Sequence, residues 1–169
     1  MSRSDLRVGH GYDLHRLEVG SPLTIGGVGV PSDLGAVGHS DGDVLMHAVV
    51  DALLGAAAAG DIGRLFPDTD PHYAGADSRE FVIKAVRVVR AAGWELLNLD
   101  ASVILESPKL APHIGDMQRN LADALGIDIA RVSVKAKTNE GQDAIGADRA
   151  VACHAVVLLT AAEPGAGRG

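Results

Sequence analysis

With 169 residues, 47% of them hydrophobic and 22% charged, the chain has the apolar content for one core of ordinary size, which excludes disorder for the chain as a whole. Fifteen Lys and Arg against 22 Asp and Glu give a net charge of −7, and the aromatics are two Phe, two Tyr and one Trp; general nucleic-acid binding needs a basic footprint or a stacking platform, so it is excluded. The lone cysteine, Cys153, cannot close an intramolecular disulfide, and there is neither a long uncharged apolar run nor a leader-like start, so a membrane span and export are not expected and the chain is read as cytoplasmic.

Leu6 to Tyr12 reads as a strand. Leu23-Thr24-Ile25 and Val28-Gly29-Val30 flank Gly26-Gly27, a two-residue turn suited to a hairpin because glycine takes positive φ cheaply, and Pro31 ends the second strand. From Asp43 to about Ala59 the residues Leu45, Ala48, Val49, Ala52, Leu53 and Ala56 recur at helical spacing, with Ser40 or Asp41 as N-cap and Gly60 past the end. A second helix is expected over Ser78–Ala92, ending at Gly93, and a third after Pro112, ending at Gly126. Leu96–Leu105, Val132–Lys137 and Ala150–Leu159 have strand length and composition. This order predicts an α+β fold, a sheet with helices packed on one face. One domain is expected over residues 1–160, with 161–169 as a flexible C-terminal tail.

Asp13-Leu14-His15 falls at the expected end of the first strand, where residues two apart share a side, so a carboxylate and an imidazole can converge on one ion. His47 falls one turn into the expected helix, four residues before Asp51, which places that carboxylate to hold the second ring nitrogen. A half-buried histidine with its hydrogen bonds satisfied explains the same pattern. Two imidazoles and one carboxylate suit zinc, and three protein ligands leave a position open for water or substrate. The same set serves non-haem Fe(II) oxygenases, but those are mostly jelly rolls with few helices. Gly60–Pro71 is too apolar at Ile62, Leu65 and Phe66 for a solvated connector and reads as an ordered loop, with a series of Asx-turns as the plain explanation. Lys135–Gly141 brings hydroxyl, amide, carboxylate and backbone N–H groups to a strand end, the oxygen-rich chemistry that Mg2+ and phosphates require. Lys109, between a strand and a proline-started helix, suits an anion or plain solvent.

Taken in order, Gly9-His10-Gly11-Tyr12-Asp13-Leu14-His15, then Gly38 to His47, Asp51 to Ala57, Gly60 to Pro71, Ala76-Asp77-Ser78-Arg79, Pro108-Lys109, Pro112-His113-Ile114 and Lys135 to Gly141 closely resemble the 2-C-methyl-D-erythritol 2,4-cyclodiphosphate synthases, over about residues 7 to 160. The resemblance implies a homotrimer with active sites between subunits, each subunit a mixed β-sheet with helices on one face. It implies an enzyme of the non-mevalonate isoprenoid pathway, a cyclising, CMP-releasing phosphorus–oxygen lyase acting on 4-diphosphocytidyl-2-C-methyl-D-erythritol 2-phosphate. By matching motif, Asp13, His15 and His47 would bind Zn2+ or another divalent transition metal, and Glu140 would hold Mg2+ or Mn2+. His39 and Thr138 would be catalytic, stabilising the pentavalent transition state, with Ser40 positioning phosphate. Asp61, Ile62 and Gly63, with the loop around Phe66, Asp68 and Asp70, would hold the methylerythritol part and the attacking phosphate. Leu105, Lys109, Leu110, Ala111, Lys137, Thr138 and Asn139 would form the cytidine and α-phosphate pocket, given by the adjacent subunit. Asp13, His15 and Glu140 also stand among the residues expected to touch substrate.

One stretch departs from the family pattern. Where the family carries a glycine-rich loop with an aromatic and an arginine, this chain has Ala144 and Ala147, so that loop's function is not carried over. Arg149, on a strand, would face the same side as Ala147 and could replace the lost guanidinium. His72, His113 and His154 are read as structural or surface residues, Cys153 as a small core residue, and His10 has no assigned role.

Overall fold

The computed structural model describes residues 6–67 and 69–162; the expectations for Asp68 and for the tail beyond 162 lie outside these residues. A mixed five-stranded sheet, in the order β4 (Leu34–Val37), β1 (Leu6–Val19), β7 (Ala150–Ala161), β5 (Trp94–Ile104) and β6 (Val132–Lys137), carries helices on one face. β1 (Leu6–Val19) does not end at Tyr12 but runs 14 residues, because β7 pairs with it from Leu6 to Arg16 and β4 from Arg16 to Val19. The Asp-x-His motif therefore lies within the strand, not at its end, with Asp13 paired to Cys153 and His15 to Val151 of β7. Next come the hairpin strands β2 (Thr24–Ile25) and β3 (Val28–Gly29), joined by Gly26 and Gly27 at φ of 58° and 69° as the dipeptide requires. β4 (Leu34–Val37) was not expected: a four-residue strand half made of Gly and Ala carries almost no propensity signal.

Helix α1 (Val44–Ala56) is buried nearly all round, which makes it the central helix. Its N-cap is Asp43 rather than Ser40 or Asp41. The Asp43 carboxylate accepts from Leu45 N and Met46 N at the helix start and from Gly26 N and Gly27 N of the hairpin turn, at 2.7–3.1 Å. The helix stops at Ala56, earlier than Ala59, because Ala58 turns to φ 55° and Gly60 to φ 98°. α2 (Ile62–Leu65) turns part of the expected loop into one helical turn. α3 (Ser78–Ala91), β5 (Trp94–Ile104), α4 (Ile114–Leu125), β6 (Val132–Lys137), α5 (Asp143–Gly146) and β7 (Ala150–Ala161) complete the chain. β5 and β6 pair parallel across α4, while the other pairs in the sheet are antiparallel.

Two glycines set the distance between sheet and helix. A Cβ at Gly9 would lie 1.9 Å from Ala52 O, and one at Gly11 would lie 1.8 Å from Ala48 O, so β1 rests directly on the backbone of α1. Period two then points Gly9, Gly11, Asp13, His15 and Leu17 toward the helix layer, and His10, Tyr12 and Leu14 to the opposite, helix-free side. Cys153 faces the layer fully buried, as expected, and burial pushes its thiol far up from its ordinary value. Arg149 is not on a strand. α5 and its capping residue Ala147 precede it, Asp148 stands at φ 56° and β7 begins only at Ala150, so the same-side argument for a replacement guanidinium fails.

Candidate active site

The strand and the central helix meet at three side chains. Asp13 Oδ2 lies 2.8 Å from His15 Nε2 and 3.0 Å from His47 Nδ1, and those two ring nitrogens are 3.0 Å apart. One carboxylate oxygen and two imidazole nitrogens at such mutual spacings match neighbouring donors around one ion bound at about 2.0–2.2 Å, the set that zinc and similar ions favour. Burial pushes the Asp13 carboxyl up, but hydrogen bonds from His15 and His47 and their charge outweigh it and hold the group well below the usual carboxylate range. For His47 burial favours the uncharged ring, yet the hydrogen bond to Asp13 and the charges of Asp13, Asp43 and Asp41 raise it above its ordinary value.

Asp51 does not hold the second nitrogen of His47. Its Oδ1 instead accepts from Ile62 N at 2.7 Å, satisfying a backbone donor at the start of α2, because the next segment returns over the last turns of α1. The partner is Ser78, whose Oγ lies 2.9 Å from His47 Nε2. Ser78 Oγ donates its only hydrogen to Asp41 in a very short contact, and Ser78 N donates to the other Asp41 oxygen at 3.0 Å. The hydroxyl is therefore an acceptor toward His47, so Nε2 keeps its proton, and Nδ1, which donates to Asp13 in the metal-free site, is the nitrogen whose proton a bound ion would replace. Ser40 Oγ closes the same nitrogen at 2.9 Å. Asp41 and Ser78 were missed as functional residues; a motif containing each was noted, but their meeting, 37 residues apart, is tertiary.

Beside the triad opens a cavity of about 290 Å³ lined by His15, His39, Ser40, His47, Ile62, Gly63, Phe66, Tyr73 and Phe81. His39 stands exposed at it, and Asp61 caps α2 beneath, accepting from Arg64 N at 2.9 Å. One wall is aromatic: Phe66 stacks on Phe81 at 4.2 Å, with Tyr73 edge-on to both. Lys84 backs this wall, with Nζ 4.9 Å above the Phe66 ring and donating to the Tyr73 hydroxyl at 3.2 Å. Tyr73, Phe81 and Lys84 carried no sequence signal beyond core periodicity. Asp70 is exposed outside the cavity lining.

A second, separate pocket of about 140 Å³ gathers Leu105, Pro108, Lys109, Leu110, Ala111, Ala136, Lys137 and Thr138. Glu106 accepts from Asn139 N at 3.0 Å and Gly141 N at 3.3 Å and so shapes the turn after β6. Glu140, at φ 51°, accepts from Thr138 Oγ1 at 3.1 Å and stands with this pocket rather than with the triad. Asn139 donates to Asp143 at 2.8 Å. Within one chain, then, His39 lies in the first cavity and Thr138 in the second.

The chain and its fold have counterparts among known proteins. The YgbB family pattern matches residues 6–160, and the chain belongs to the YgbB family. It is 55% identical over 159 residues to the 2-C-methyl-D-erythritol 2,4-cyclodiphosphate synthase of Cupriavidus metallidurans, covering 94% of this chain and 95% of that protein. Among solved structures it is similar to the bifunctional IspDF from Campylobacter jejuni, with TM-score 0.90, 41% identity, 94% of this chain and 43% of that one covered. It is also similar to a CDP complex of IspF from Plasmodium falciparum, with TM-score 0.83, 34% identity, and 96% and 100% covered.

Proposed function

We propose that the chain catalyses the reaction of these synthases: the 2-phosphate of 4-diphosphocytidyl-2-C-methyl-D-erythritol 2-phosphate attacks the β-phosphorus, the bond to the α-phosphate oxygen breaks, and the 2,4-cyclodiphosphate and CMP leave. The observation that carries the reading is the Asp13–His15–His47 set opening onto the 290 Å³ cavity in a chain of this family. Because nucleophile and electrophile belong to one molecule, the protein's work is to fold the substrate into line and to neutralise charge.

Asp13, His15 and His47 would hold Zn2+ or another divalent transition metal, and Glu140 Mg2+ or Mn2+; such ions, when bound, polarise phosphate oxygens. The chain's own residues do the rest. Asp41 and Ser78 hold the proton on His47 Nε2, so that the nitrogen facing Asp13 is the one that would give up its proton to a bound ion. His39 and Ser40 offer donors to phosphate oxygens at the cavity mouth. Ile62, Gly63 and Phe66 shape the apolar side for the methylerythritol carbons, while Asp61 sets the loop. Lys109, Lys137 and Thr138 bring cationic and hydroxyl donors to the α-phosphate, and Leu105, Leu110 and Ala111 a slot for the base.

A homotrimer completes the site in this reading, with the second pocket of one copy meeting the first cavity of the next. Two features support it: the pockets do not connect within one chain, and the helix-free sheet face exposes Leu6, Val8, Tyr12, Leu14 and Val156. The test is ³¹P NMR of the protein with substrate, Zn2+ and Mg2+, with His47→Ala as control. Stoichiometric CMP and cyclic diphosphate, absent in the variant, are expected; no turnover with zinc bound would overturn the reading.

A further inference from the structure

We propose that His10 and His154 form a second divalent transition-metal site, on the opposite face of the sheet from the Asp13 centre. The strand period places them there. His10 lies one pleat from Gly11, which rests on α1, so its ring projects from the helix-free side; on β7, Cys153 and Ala155 are buried while His154 between them is exposed. Antiparallel register pairs Tyr12 with His154 and His10 with Val156, which makes the two histidines diagonal neighbours on adjacent strands.

Their rings lean together until His10 Nε2 is 3.1 Å from His154 Nδ1, with the rings 26° from parallel. Tyr12 packs its ring at 4.8 Å from that of His154 and limits its rotation. For two imidazole nitrogens bound to one ion at about 2.05 Å, a 3.1 Å separation corresponds to an N–metal–N angle of roughly 98°, between the octahedral and tetrahedral values. The pair is thus already spaced as adjacent ligands of one ion. Imidazole donors select Zn2+, Ni2+ or Cu2+ over Mg2+ or Ca2+.

Atoms balance without a net proton change. In the hydrogen-bonded pair one of the facing nitrogens carries the proton and the other a lone pair; on metal binding both present lone pairs, and the shared proton moves to the far nitrogen of its own ring. The charged pair nearest in register on this face, Asp100 with Lys135, is already joined to itself and adds no net charge beside the site. Water fills the remaining positions on a single chain. In the trimer proposed above, which this inference extends but does not require, the three pairs would share one enclosed face and supply one another's missing ligands.

The test loads the protein with zinc to one equivalent per chain, removes free metal, and titrates Ni2+ by calorimetry in Mg2+-free buffer, with nickel and zinc counted by elemental analysis. His10→Asn and His154→Gln are run beside it. Nickel bound beyond the retained zinc, weakened by at least about tenfold in both variants while zinc content and cyclodiphosphate turnover hold, is the expected result. No nickel uptake, or uptake that persists in both variants, overturns the proposal. Loss of zinc or turnover in the parent itself would instead speak against the catalytic reading, so the two failures are distinguishable.

Discussion

Replacing Gly11 with alanine tests whether the contact of β1 with α1 is what assembles the metal centre. The added Cβ would lie 1.8 Å from the carbonyl oxygen of Ala48 and 2.7 Å from Ala52 N, both backbone atoms of a helix that is buried nearly all round. Close-packed interiors do not absorb such an overlap locally, so the strand must retreat by more than about 1 Å. That motion acts directly on the site, because Ala48 follows His47 and Gly11 precedes Asp13 by two residues. The Asp13–His47 spacing is 3.0 Å, and metal sites tolerate deviations of only about 0.2 Å, so divalent-metal affinity should fall at least about tenfold. Overpacking should cost roughly 1–3 kcal/mol, a fall in Tm of roughly 2–12 °C for a chain of this length. Competition with a chromophoric chelator and differential scanning fluorimetry read the two quantities. Gly29→Ala is the control, since nothing lies within 4 Å of its added Cβ and its φ is not left-handed. Gly11→Ala with metal affinity within about twofold of the parent would refute the argument that strand–helix spacing sets the centre.

Lys84→Ala should loosen the aromatic wall without touching the triad. A cation–π contact of about 0.5–1 kcal/mol corresponds to a two- to fivefold rise in KM, with kcat within about twofold and zinc content unchanged; a loss in kcat at constant KM would count against it. Burial raises the Asp43 carboxyl from 3.8 to about 6, backbone hydrogen bonds from Met46, Gly27 and Gly26 opposing and the charge of Asp41 adding. A carboxyl raised on folding contributes stability that is fully present below its unfolded value and lost as pH rises through about 6, on the order of 3 kcal/mol in all. In urea unfolding the advantage of the parent over Asp43→Asn should therefore shrink by that amount between about pH 4 and pH 7.5, and a pH-independent difference would show that Asp43 does not titrate there. Because the metal-free His47 holds its proton more tightly than an ordinary histidine, metal must displace that proton at any pH below the raised value, which lies above 6.5. Metal affinity should thus begin to fall already above pH 6.5, by about tenfold per unit, and chelator competition showing a flat profile down to that pH would contradict the assignment.

Much of the fold was legible because local physics and tertiary context agreed. Gly26-Gly27 demanded a hairpin and made one; the apolar spacing of 45–56 demanded a helix; α4 ends at Gly126, whose φ of 67° is the left-handed cap its residue type allows. The pairing of Asp13 with His15 followed from the two-residue strand period, and the meeting with His47 was read from a helix start placed correctly to within a few residues. The family likewise followed from motifs whose order and spacing survive in the chain, and the YgbB match over residues 6–160 bears it out.

What the sequence could not settle were contacts whose partners are distant along the chain. Asp51 lies four residues from His47 and Ser78 thirty-one, yet Ser78 is the one that holds the ring, because the return of the chain over α1 draws Asp51 to Ile62 N and places the start of α3 against His47. The true cap of α1 was chosen the same way: only Asp43 reaches both the helix N-terminus and the hairpin amides, so it prevails over Ser40 and Asp41. Arg149 failed for a related reason, since a single turn of helix and a left-handed Asp148 replaced the strand on which its period-two argument depended. Periodicity and composition act within a few residues and so determined the elements and the chemical types at the site. Only the packing of sheet on helix, brought to backbone contact at Gly9 and Gly11, decided which of those groups would touch.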